Sequence, residues 1–453
     1  MDRIEKKILD IIDQNAEKII AFGDDIWHHA ELGFAEFRTS QKFAEHLESL
    51  GLSCERELAV TGVKSYLKEK KDGEVRVALM GEMDALPIAD HEDSNPKTGA
   101  AHCCGHDAQL TGVMGASFAL ADPEVQAALG GNVVFFGVPS EEGSTLKIKE
   151  PLMAAGKIHS GGGKCEFIRN GVMDDIDITV GHHIHGADYA EQTWTSGNAP
   201  SMGFIEKYAT YTGVRQHPAF SFKAIDTLSA ATLAMHAVDQ QREAFNLFHK
   251  WNTHLVHGYI VKGGDAANIV SDNVLLDYNM RAKTIDAMQD LAFRIDRCMR
   301  AGAEAVGAGL EIKTAPGYLP VVPIKDGSII YDVFNVIDPN HAVHHRKITE
   351  LTGTTDYGDL STIMPVIQFL TDGCSGTAHT TSFHRDDLNE YYVVPAKAFA
   401  IMAYRLLKDD AAEAKKILAE NKPLMTKEGY LKLIDELSKV EKIDMVPVPE
   451  KFI

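Results

Sequence analysis

The chain has 453 residues, of which 45% are hydrophobic and 24% are charged, as in folded globular proteins. Its length favours two domains over one, because a single hydrophobic core stops growing well before this size. The formal charge of −20 argues against nucleic acid and anionic membranes as partners. We expect a cytoplasmic, reduced protein. Six cysteines in so long a chain are not a disulfide scaffold, and the sequence contains neither a long apolar run nor the core of a signal peptide.

The first half of the chain alternates between helices and strands. Two helices are predicted in the first fifty residues, over 4–22 and over 39–50, the second with Thr39 as its cap and Gly51 as its stop signal. Three buried strands and two intervening helices follow, over residues 75–80, 107–120, 132–138, 146–155 and 176–180. This alternation predicts an α/β layer with a mostly parallel sheet.

From about residue 201 the order changes to β-α-β-β-α-β. These elements cover residues 202–211, 224–241, 258–262, 273–281, 286–306 and 310–314. The order is that of a ferredoxin-like unit, and it is inserted, because signals of the first kind resume near Gly327. We therefore predict a two-domain α/β protein, with one domain over residues 1–198 and 316–453 and an inserted ferredoxin-like domain over residues 199–315.

Four segments rich in metal-ligand side chains lie at the ends of predicted strands or in the loops after them. Open α/β sheets place their binding sites there. The segments read GEMD at 81–84, HCCGHD at 102–107, SEEG at 140–143 and GHHIH at 181–185. Each alone has an ordinary explanation, such as a solvated acidic loop, a buried structural cysteine or a surface histidine loop. Their joint placement favours a metal site.

The 102–107 run can form one corner of such a site. Cys104 and His106 can converge on one ion from a tight turn that Gly105 permits. Asp107 either orients a ligating imidazole or caps the helix that follows. The chemistry of this segment is therefore expected to come from Cys104 and His106.

Two acidic pairs add carboxylates to the predicted site. Glu82 and Asp84 point the same way from an extended segment. Of Glu141 and Glu142, one can ligate an ion while the other transfers protons, since two desolvated neighbouring carboxylates call for a nearby cation. With the histidines of 181–185 and of AHTTSFH at 378–384, the chain has enough ligands for two metals.

The order H-x-C-G-H-D, E-E-G, G-x-H and a late A-H resembles the amidohydrolase branch of the metallohydrolase family that contains aminoacylases and glutamate carboxypeptidases. The likeness begins at HHAELGF (28–34), continues through DALP (84–87) and the inserted domain, and runs to His379. The branch includes aminobenzoyl-glutamate, hippurate and indole-acetyl-amino acid hydrolases. The resemblance implies hydrolysis of the amide bond of an N-acyl amino acid, a conjugate or a small dipeptide. It also implies two divalent ions, zinc or manganese. The domain over 1–198 and 316–453 is then the catalytic, metal-binding domain, and the inserted domain over 199–315 is a lid and dimerisation domain through which a homodimer forms.

Position by position, the resemblance implies particular roles for individual residues. It implies a general base, Glu141, and we group Asp84 with the catalytic residues. It implies that His217 reaches the active site, in the family from the partner subunit, and stabilises the oxyanion. The implied metal ligands are Cys104, His106, Glu142, His183 and His379, and the implied substrate contacts are Asn268, Arg281, His217 and Asp356.

Departures from the family pattern leave some of these assignments open. Cys103 stands where alanine is usual, so which cysteine ligates is not fixed, although its spacing favours Cys104. His182 or His185 could replace His183. The substrate could instead be a carbamoyl-amino acid or a dipeptide. Two non-enzymatic alternatives are a metal-binding relative without activity and a protein whose zinc is purely structural.

Overall fold

The structure, a computed structural model, describes residues 1–143, 145–184, 198–248, 254–339, 353–446 and 449. The chain divides into two compact units. The first unit comprises Met1–Pro200, Val321–Leu351 and Asp359–Thr426. The second comprises Ser201–Pro320, Thr352–Gly358 and Lys427–Ile453.

The strands of both units are numbered in chain order. They are β1 (Cys54–Leu58), β2 (Gly62–Tyr66), β3 (Arg76–Glu82), β4 (Asn132–Val138), β5 (Ile178–Ile184), β6 (Gly203–Thr212), β7 (His254–Lys262), β8 (Asn273–Ala282), β9 (Gly309–Pro316), β10 (Val366–Thr371), β11 (Cys374–Ser375), β12 (His384–Arg385) and β13 (Val440–Ile443).

The α-helices are numbered in the same way. They are α1 (Arg3–Gln14), α2 (Ala16–Trp27), α3 (Phe37–Ser49), α4 (His106–Leu120), α5 (Pro123–Ala127), α6 (Leu146–Ala154), α7 (Gly163–Arg169), α8 (Thr227–Gln240), α9 (Arg242–Phe248), α10 (Ile285–Val306), α11 (Ser328–Ile337), α12 (Tyr357–Ile363), α13 (Val394–Glu420) and α14 (Lys427–Leu437). A 3-10 helix covers Pro218–Lys223, and a π-helical turn covers Asn389–Val393.

The first unit is organised on a six-stranded sheet with the order β1-β2-β4-β3-β5-β10. Strands β4, β3, β5 and β10 are parallel, and the antiparallel pair β1-β2 forms one edge. The predicted α/β class with a mostly parallel sheet is therefore confirmed. The parallel strands end at a common edge, and this edge carries the candidate site.

The core of the first unit lies where α4 packs between the sheet and α13. All seven residues of β4 are buried, as β-branched and aromatic side chains favour in a parallel sheet. Small residues allow α4 to approach α13 closely, because a Cβ at Gly115 would lie only 2.6 Å from Ala396 Cβ. The core therefore fixes the N-terminus of α4 against the sheet.

The second unit has a five-stranded antiparallel sheet with the order β13-β9-β6-β8-β7. Without β13, the connection β6-α8-β7-β8-α10-β9 is the predicted ferredoxin-like order. The fifth strand, β13, pairs with β9 and comes from the C-terminal segment.

The N-terminal region differs in detail from the prediction. The helix predicted over 4–22 is two helices, α1 and α2, which meet at Asn15, where the Asn15 side chain donates a hydrogen bond to the carbonyl of Ile11 (2.9 Å). Helix α3 begins at Phe37, and its N-cap residue is Glu36 rather than Thr39. Within the described ranges, none of the helices has the length and apolar character needed to cross a membrane.

Candidate metal centre

Four segments of the first unit deliver polar side chains to one edge of the sheet. Glu82 ends β3, and Asp84 follows two residues later. The pair Glu141 and Glu142 follows β4, and His183 lies near the end of β5. These strands are parallel and adjacent, so their carboxyl ends bring residues separated by about a hundred positions in the chain to one place.

The fourth segment is the turn at the start of α4. Gly105 is the N-cap residue and has a φ of +90°, in the left-handed region that glycine tolerates. A Cβ at this position would also lie 2.8 Å from Ile184 Cγ1, so the turn closes tightly onto β5. This geometry places Cys104 and His106 on either side of the glycine.

Cys104, His106 and His183 form the first potential ligand group. One ligand atom from each lies within 4.8 Å of the others, and Cys104 Sγ is 3.4 Å from His183 Nε2. His183 Nδ1 is 2.8 Å from the carbonyl oxygen of Ile184, which leaves Nε2 for an ion. One thiol and two imidazoles are a ligand set that zinc accepts.

Cys104 also belongs to a second group, with Glu142 and His379. His379 Nε2 lies 3.2 Å from Glu142 Oε1, and the His379 N–H donates to the carbonyl oxygen of Cys103 (2.8 Å). His379 has a φ of +63°, so its backbone is held in an unusual conformation beside the cysteine pair. Because the two groups share Cys104, the arrangement fits two neighbouring ions.

Asp84 links the two groups. Its Oδ1 is 3.0 Å from His106 Nδ1, and its Oδ2 accepts the N–H of Glu142 (2.9 Å). A carboxylate on the far nitrogen of a ligating histidine orients the ring and fixes its tautomer. Asp84 therefore orients both a candidate imidazole ligand and the backbone of a candidate carboxylate ligand.

The electrostatics of the cluster fit a divalent cation. Burial and the nearby Glu142 carboxylate raise the pKa of the Cys104 thiol well above its usual range. Burial opposes protonation of His106, but Glu82 and Cys104 raise its pKa well above the usual value. Both shifts arise from negative groups crowded into a buried space, and a bound cation would reverse them.

Two buried atoms of the cluster point to the same conclusion. Within the described ranges, His106 Nε2 and Glu142 Oε1 are buried without a hydrogen bond of acceptable geometry. Buried polar atoms are rarely left in this way, so each such atom calls for an explanation. Coordination of a metal would satisfy both. The residues present therefore fit a divalent pair.

Glu141 lies beside these groups. Its Oε2 is 3.7 Å from His106 Nε2, and it forms a third cluster with His106 and Glu82. Glu82 Oε2 is 3.1 Å from His106 Nε2. Glu141 thus lies next to the candidate ligands, whereas Glu142 belongs to the ligand group of Cys104 and His379.

Sequence reasoning missed the groups that surround Glu82. Lys164 Nζ donates to Glu82 Oε1 (2.5 Å) and Gln109 Nε2 donates to Glu82 Oε2 (2.6 Å). Lys164 is fully buried in α7, directly after three glycines. Gly163 permits this approach, since a Cβ there would overlap the carbonyl of Pro139. The glycine run was the available sequence signal.

Two ligands that the sequence left open as alternatives, Cys103 and His182, belong to none of the ligand groups found among the described residues. Cys103 is buried. His182 Nε2 is 2.7 Å from the hydroxyl of Thr371, and the ring packs against Phe369. His185 lies outside the described residues. The side chain of Asp107 does not cap α4 but accepts hydrogen bonds from two tyrosines.

The remaining predicted site residues belong to the second unit. His217 is exposed, and its Nδ1 accepts the N–H of Ala219 (3.2 Å) at the start of the 3-10 helix. Asn268 is exposed, and the guanidinium of Arg281 donates to Asn279 Oδ1 (3.2 Å). Asp356 is buried. The substrate contacts implied for these four residues stay predictions.

Known proteins share this sequence pattern and fold. An IAA-amino acid hydrolase from Arabidopsis thaliana is 29% identical over 276 residues, which are 60% of this chain and 58% of that protein. The Xaa-Arg dipeptidase of Mus musculus is 24% identical over 429 residues, 89% of both chains. The crystal structure of a dinuclear metal-binding peptidase from Bacillus subtilis has a TM-score of 0.66 at 21% identity, covering 87% of this chain and 99% of that one. This last likeness shows the fold.

The α/β fold, the buried ligand groups and these relatives together define a metal-dependent amidohydrolase. The chain belongs to peptidase family M20/M25/M40, whose family model matches residues 78–399. The resemblance read from the motifs is therefore confirmed.

Proposed function

We propose that the protein hydrolyses the amide bond between an acyl group and an amino acid in a small N-acyl amino acid or conjugate. One observation carries this proposal. Two ligand groups share Cys104, and a further carboxylate, Glu141, lies beside them without belonging to either. A binding protein needs the ligands alone, whereas a hydrolase also needs a base. The name of the plant relative indicates a conjugate of this kind.

Each candidate site residue of the first unit has a proposed role in this reaction. Cys104, His106 and His183 would hold one divalent ion, and Cys104, Glu142 and His379 the other. When bound, the ions supply Lewis acidity, which polarises the acyl carbonyl and lowers the pKa of the attacking water. Glu141 accepts the proton of that water and returns it to the departing amine. Asp84 keeps His106 and Glu142 in place.

The remaining roles in this proposal belong to residues of the second unit. His217 stabilises the oxyanion, and Asn268, Arg281 and Asp356 contact the carboxylate and acyl portions of the substrate. This unit also forms the interface of a homodimer. Light scattering would measure the mass of the dimer. The domain boundaries 1–198 with 316–453, and 199–315, and the cytoplasmic location are parts of the same proposal.

The metal is zinc or manganese. The Cys104 thiolate favours zinc, while the Glu142 carboxylate suits manganese. Reconstitution of metal-free protein with each ion separately, followed by assay, distinguishes them. The ion that restores the higher turnover at full occupancy is the better candidate.

The test compares Glu141→Gln with the wild type on a panel of N-acyl amino acids and amino-acid conjugates. Turnover should fall by about 10²–10⁴-fold because the general base is lost, while two metal equivalents remain bound. Glu17→Gln, at an exposed position of α2, is the matched control and should behave like the wild type. Full activity of Glu141→Gln, or a metal-loaded wild type that hydrolyses no amide, would overturn the proposal.

A second candidate substrate class is the dipeptide. The likeness to the Xaa-Arg dipeptidase covers 89% of both chains, more than the likeness to the plant hydrolase. The catalytic residues would be the same, and the bond would be a peptide bond. Dipeptides with a C-terminal arginine therefore belong in the panel, and a higher kcat/KM for them would select this class.

A further inference from the structure

The turn that carries Glu141 and Glu142 begins with a strained residue. Ser140 has a φ of +49°, in the left-handed region, although it is not a glycine. A side chain is strained in this conformation, so the surrounding structure has to maintain it. Ser140 is fully buried and directly precedes the candidate base. Its conformation therefore sets the direction in which both carboxylates leave the strand.

Glu36 holds the backbone of this residue. Its Oε1 accepts the N–H of Ser140 (2.8 Å), and its Oε2 is 2.6 Å from the hydroxyl oxygen of Thr61. Glu36 is 0% exposed. Burial of a carboxyl group is unfavourable in free energy unless the group is hydrogen-bonded. Glu36 accepts one of its hydrogen bonds from the turn beside the site.

Glu36 is the N-cap residue of α3, yet its side chain does not cap that helix. The cap is provided instead by Glu31, whose two oxygens accept the N–H groups of Arg38 (3.2 Å) and Thr39 (2.8 Å). Helix α3 therefore does not require Glu36. The burial of Glu36 serves the Ser140 turn and not the start of its own helix.

Other hydrogen bonds hold other groups of the turn. The Ser140 hydroxyl donates to the carbonyl of Gly161 (2.9 Å), and the Ser140 carbonyl accepts the N–H of Gly163 (3.2 Å). Asp84 accepts the N–H of Glu142 (2.9 Å). The N–H of Ser140 is thus the group of this turn that Glu36 fixes, and the loss of Glu36 would remove this hydrogen bond.

We propose that Glu36 is a positioning residue for the hydrolysis: its carboxyl group holds the strained Ser140 turn and thereby fixes Glu141 and Glu142 relative to the ligands on α4. This inference rests on the proposed function. Among the described residues, the three ligand groups do not include Glu36. Its effect passes through the N–H of Ser140.

The protonation of Glu36 suggests a conservative replacement. Burial, reinforced by the negative charge of Asp84, raises the pKa of Glu36 to about 8. The group is therefore largely uncharged at neutral pH, as a glutamine is. Its Oε1 accepts the N–H of Ser140, and its Oε2 accepts the hydroxyl of Thr61. A glutamine keeps the acceptor for Ser140 and places an NH₂ group beside the Thr61 hydroxyl, whose oxygen can accept from it, whereas an alanine offers neither.

The experiment compares Glu36→Gln and Glu36→Ala in the full chain. Glu36→Ala should lower kcat at saturating metal by about 10²-fold, as expected when a catalytic group is displaced by about 1 Å, with KM nearly unchanged. It should also weaken binding of Mn²⁺ or Zn²⁺ in a calorimetric titration without substrate by about tenfold or more, because Glu142 moves as well. Glu36→Gln should restore both quantities.

The control is Glu5→Ala. Glu5 is also a buried carboxylate of the first unit, but it bonds Arg405 and the N–H of Asp2. This variant should lower the melting temperature while kcat and metal affinity stay at wild-type values, which separates positioning from general destabilisation. If Glu36→Ala does not fold, Thr61→Val replaces it, and a lower kcat with weaker metal binding is again expected.

Unchanged kcat and metal affinity in Glu36→Ala, or in Thr61→Val where that variant replaces it, would overturn the inference. So would a Glu36→Gln protein as impaired as the alanine variant. The metal titration keeps this result separate from the proposed function. A wild type that binds two ions but hydrolyses nothing refutes the hydrolase, and the titration of the variants still decides the role of Glu36.

Discussion

Glu82 forms a buried ion pair with Lys164 inside the first unit. This carboxylate is buried at the end of β3, between Lys164, Gln109 and His106. Burial opposes its ionisation, but the charge of Lys164 keeps the pKa of Glu82 below the usual value. The pair thus maintains one negative charge next to the candidate ligands.

Removal of Lys164 is expected to destabilise the protein. Lys164→Met leaves a buried carboxylate without its cation, so the free energy of unfolding should fall by about 3–5 kcal/mol. Urea unfolding monitored by circular dichroism measures this change. The double variant Lys164→Met with Glu82→Gln should recover part of the loss, because no buried charge is then left unpaired. A single variant as stable as the wild type would contradict the role of the pair.

His46 should give the protein a pH-dependent stability on the acid side. Its ring packs against Phe118 and is 2.8 Å from the Ser117 hydroxyl, and burial lowers its pKa from the usual 6.5 to about 4. Between these two pH values the unfolded chain binds more protons than the native one. The stability that depends on neutral His46 is therefore complete above about pH 6.5 and is lost as the pH falls towards 4.

The variant His46→Gln tests this expectation, because glutamine keeps a polar partner for Ser117 and does not titrate. Its unfolding free energy should fall less between pH 7 and pH 4 than that of the wild type, by roughly 1–3 kcal/mol. Urea midpoints at several pH values measure the difference. Parallel pH profiles of the two proteins would show that His46 does not contribute.

At the level of elements, the N-terminus of α4 is fixed from outside the sheet by the π-helical turn Asn389–Val393. Tyr391 and Tyr392 of this turn donate to the two oxygens of Asp107, at 3.1 and 2.7 Å. Asp107 follows the candidate ligand His106 directly. Single π turns often occur at functional sites, and here the turn presents two neighbouring hydroxyls to one carboxylate.

Tyr392→Phe should therefore weaken metal binding by about 10–100-fold, as expected when a partner of a ligand-bearing segment is lost. The effect can be measured as the chelator concentration that removes half of the metal. Tyr211→Phe is the matched control, since its buried hydroxyl donates to the carbonyl of Met299 in the second unit. Equal chelator midpoints for both variants and the wild type would argue against the link between the π turn and the site.

At the scale of the whole molecule, the candidate ligands lie at the edge of a sheet that has its own extensive core. Removal of the metal should abolish hydrolysis while the far-ultraviolet circular dichroism spectrum is retained. The melting temperature should fall, because ions present at a hundredfold excess over Kd contribute about 2.7 kcal/mol to stability. Adding manganese or zinc should restore activity and melting temperature. Unfolding on chelation would instead indicate a structural metal.

The sequence by itself determined the fold class, the order of elements and the segments that carry the candidate metal ligands. Strand and helix periodicity, Gly105 and the runs at 102–107, 140–143 and 181–185 are local signals, and local signals are readable from a chain. Parallel strands then bring their carboxyl ends together whatever the details of packing.

Only the tertiary structure decided which neighbours each group has. Lys164 reads as an ordinary surface lysine until it is buried against Glu82, 82 positions away. Glu36 has no role that the sequence pattern indicates, and only the fold brings its carboxyl group to Ser140, 104 positions away. Burial and charge pairing depend on contacts between distant parts of the chain. A one-dimensional pattern does not contain them, and this is why the ligand segments were predictable while the residues that hold them in place were not.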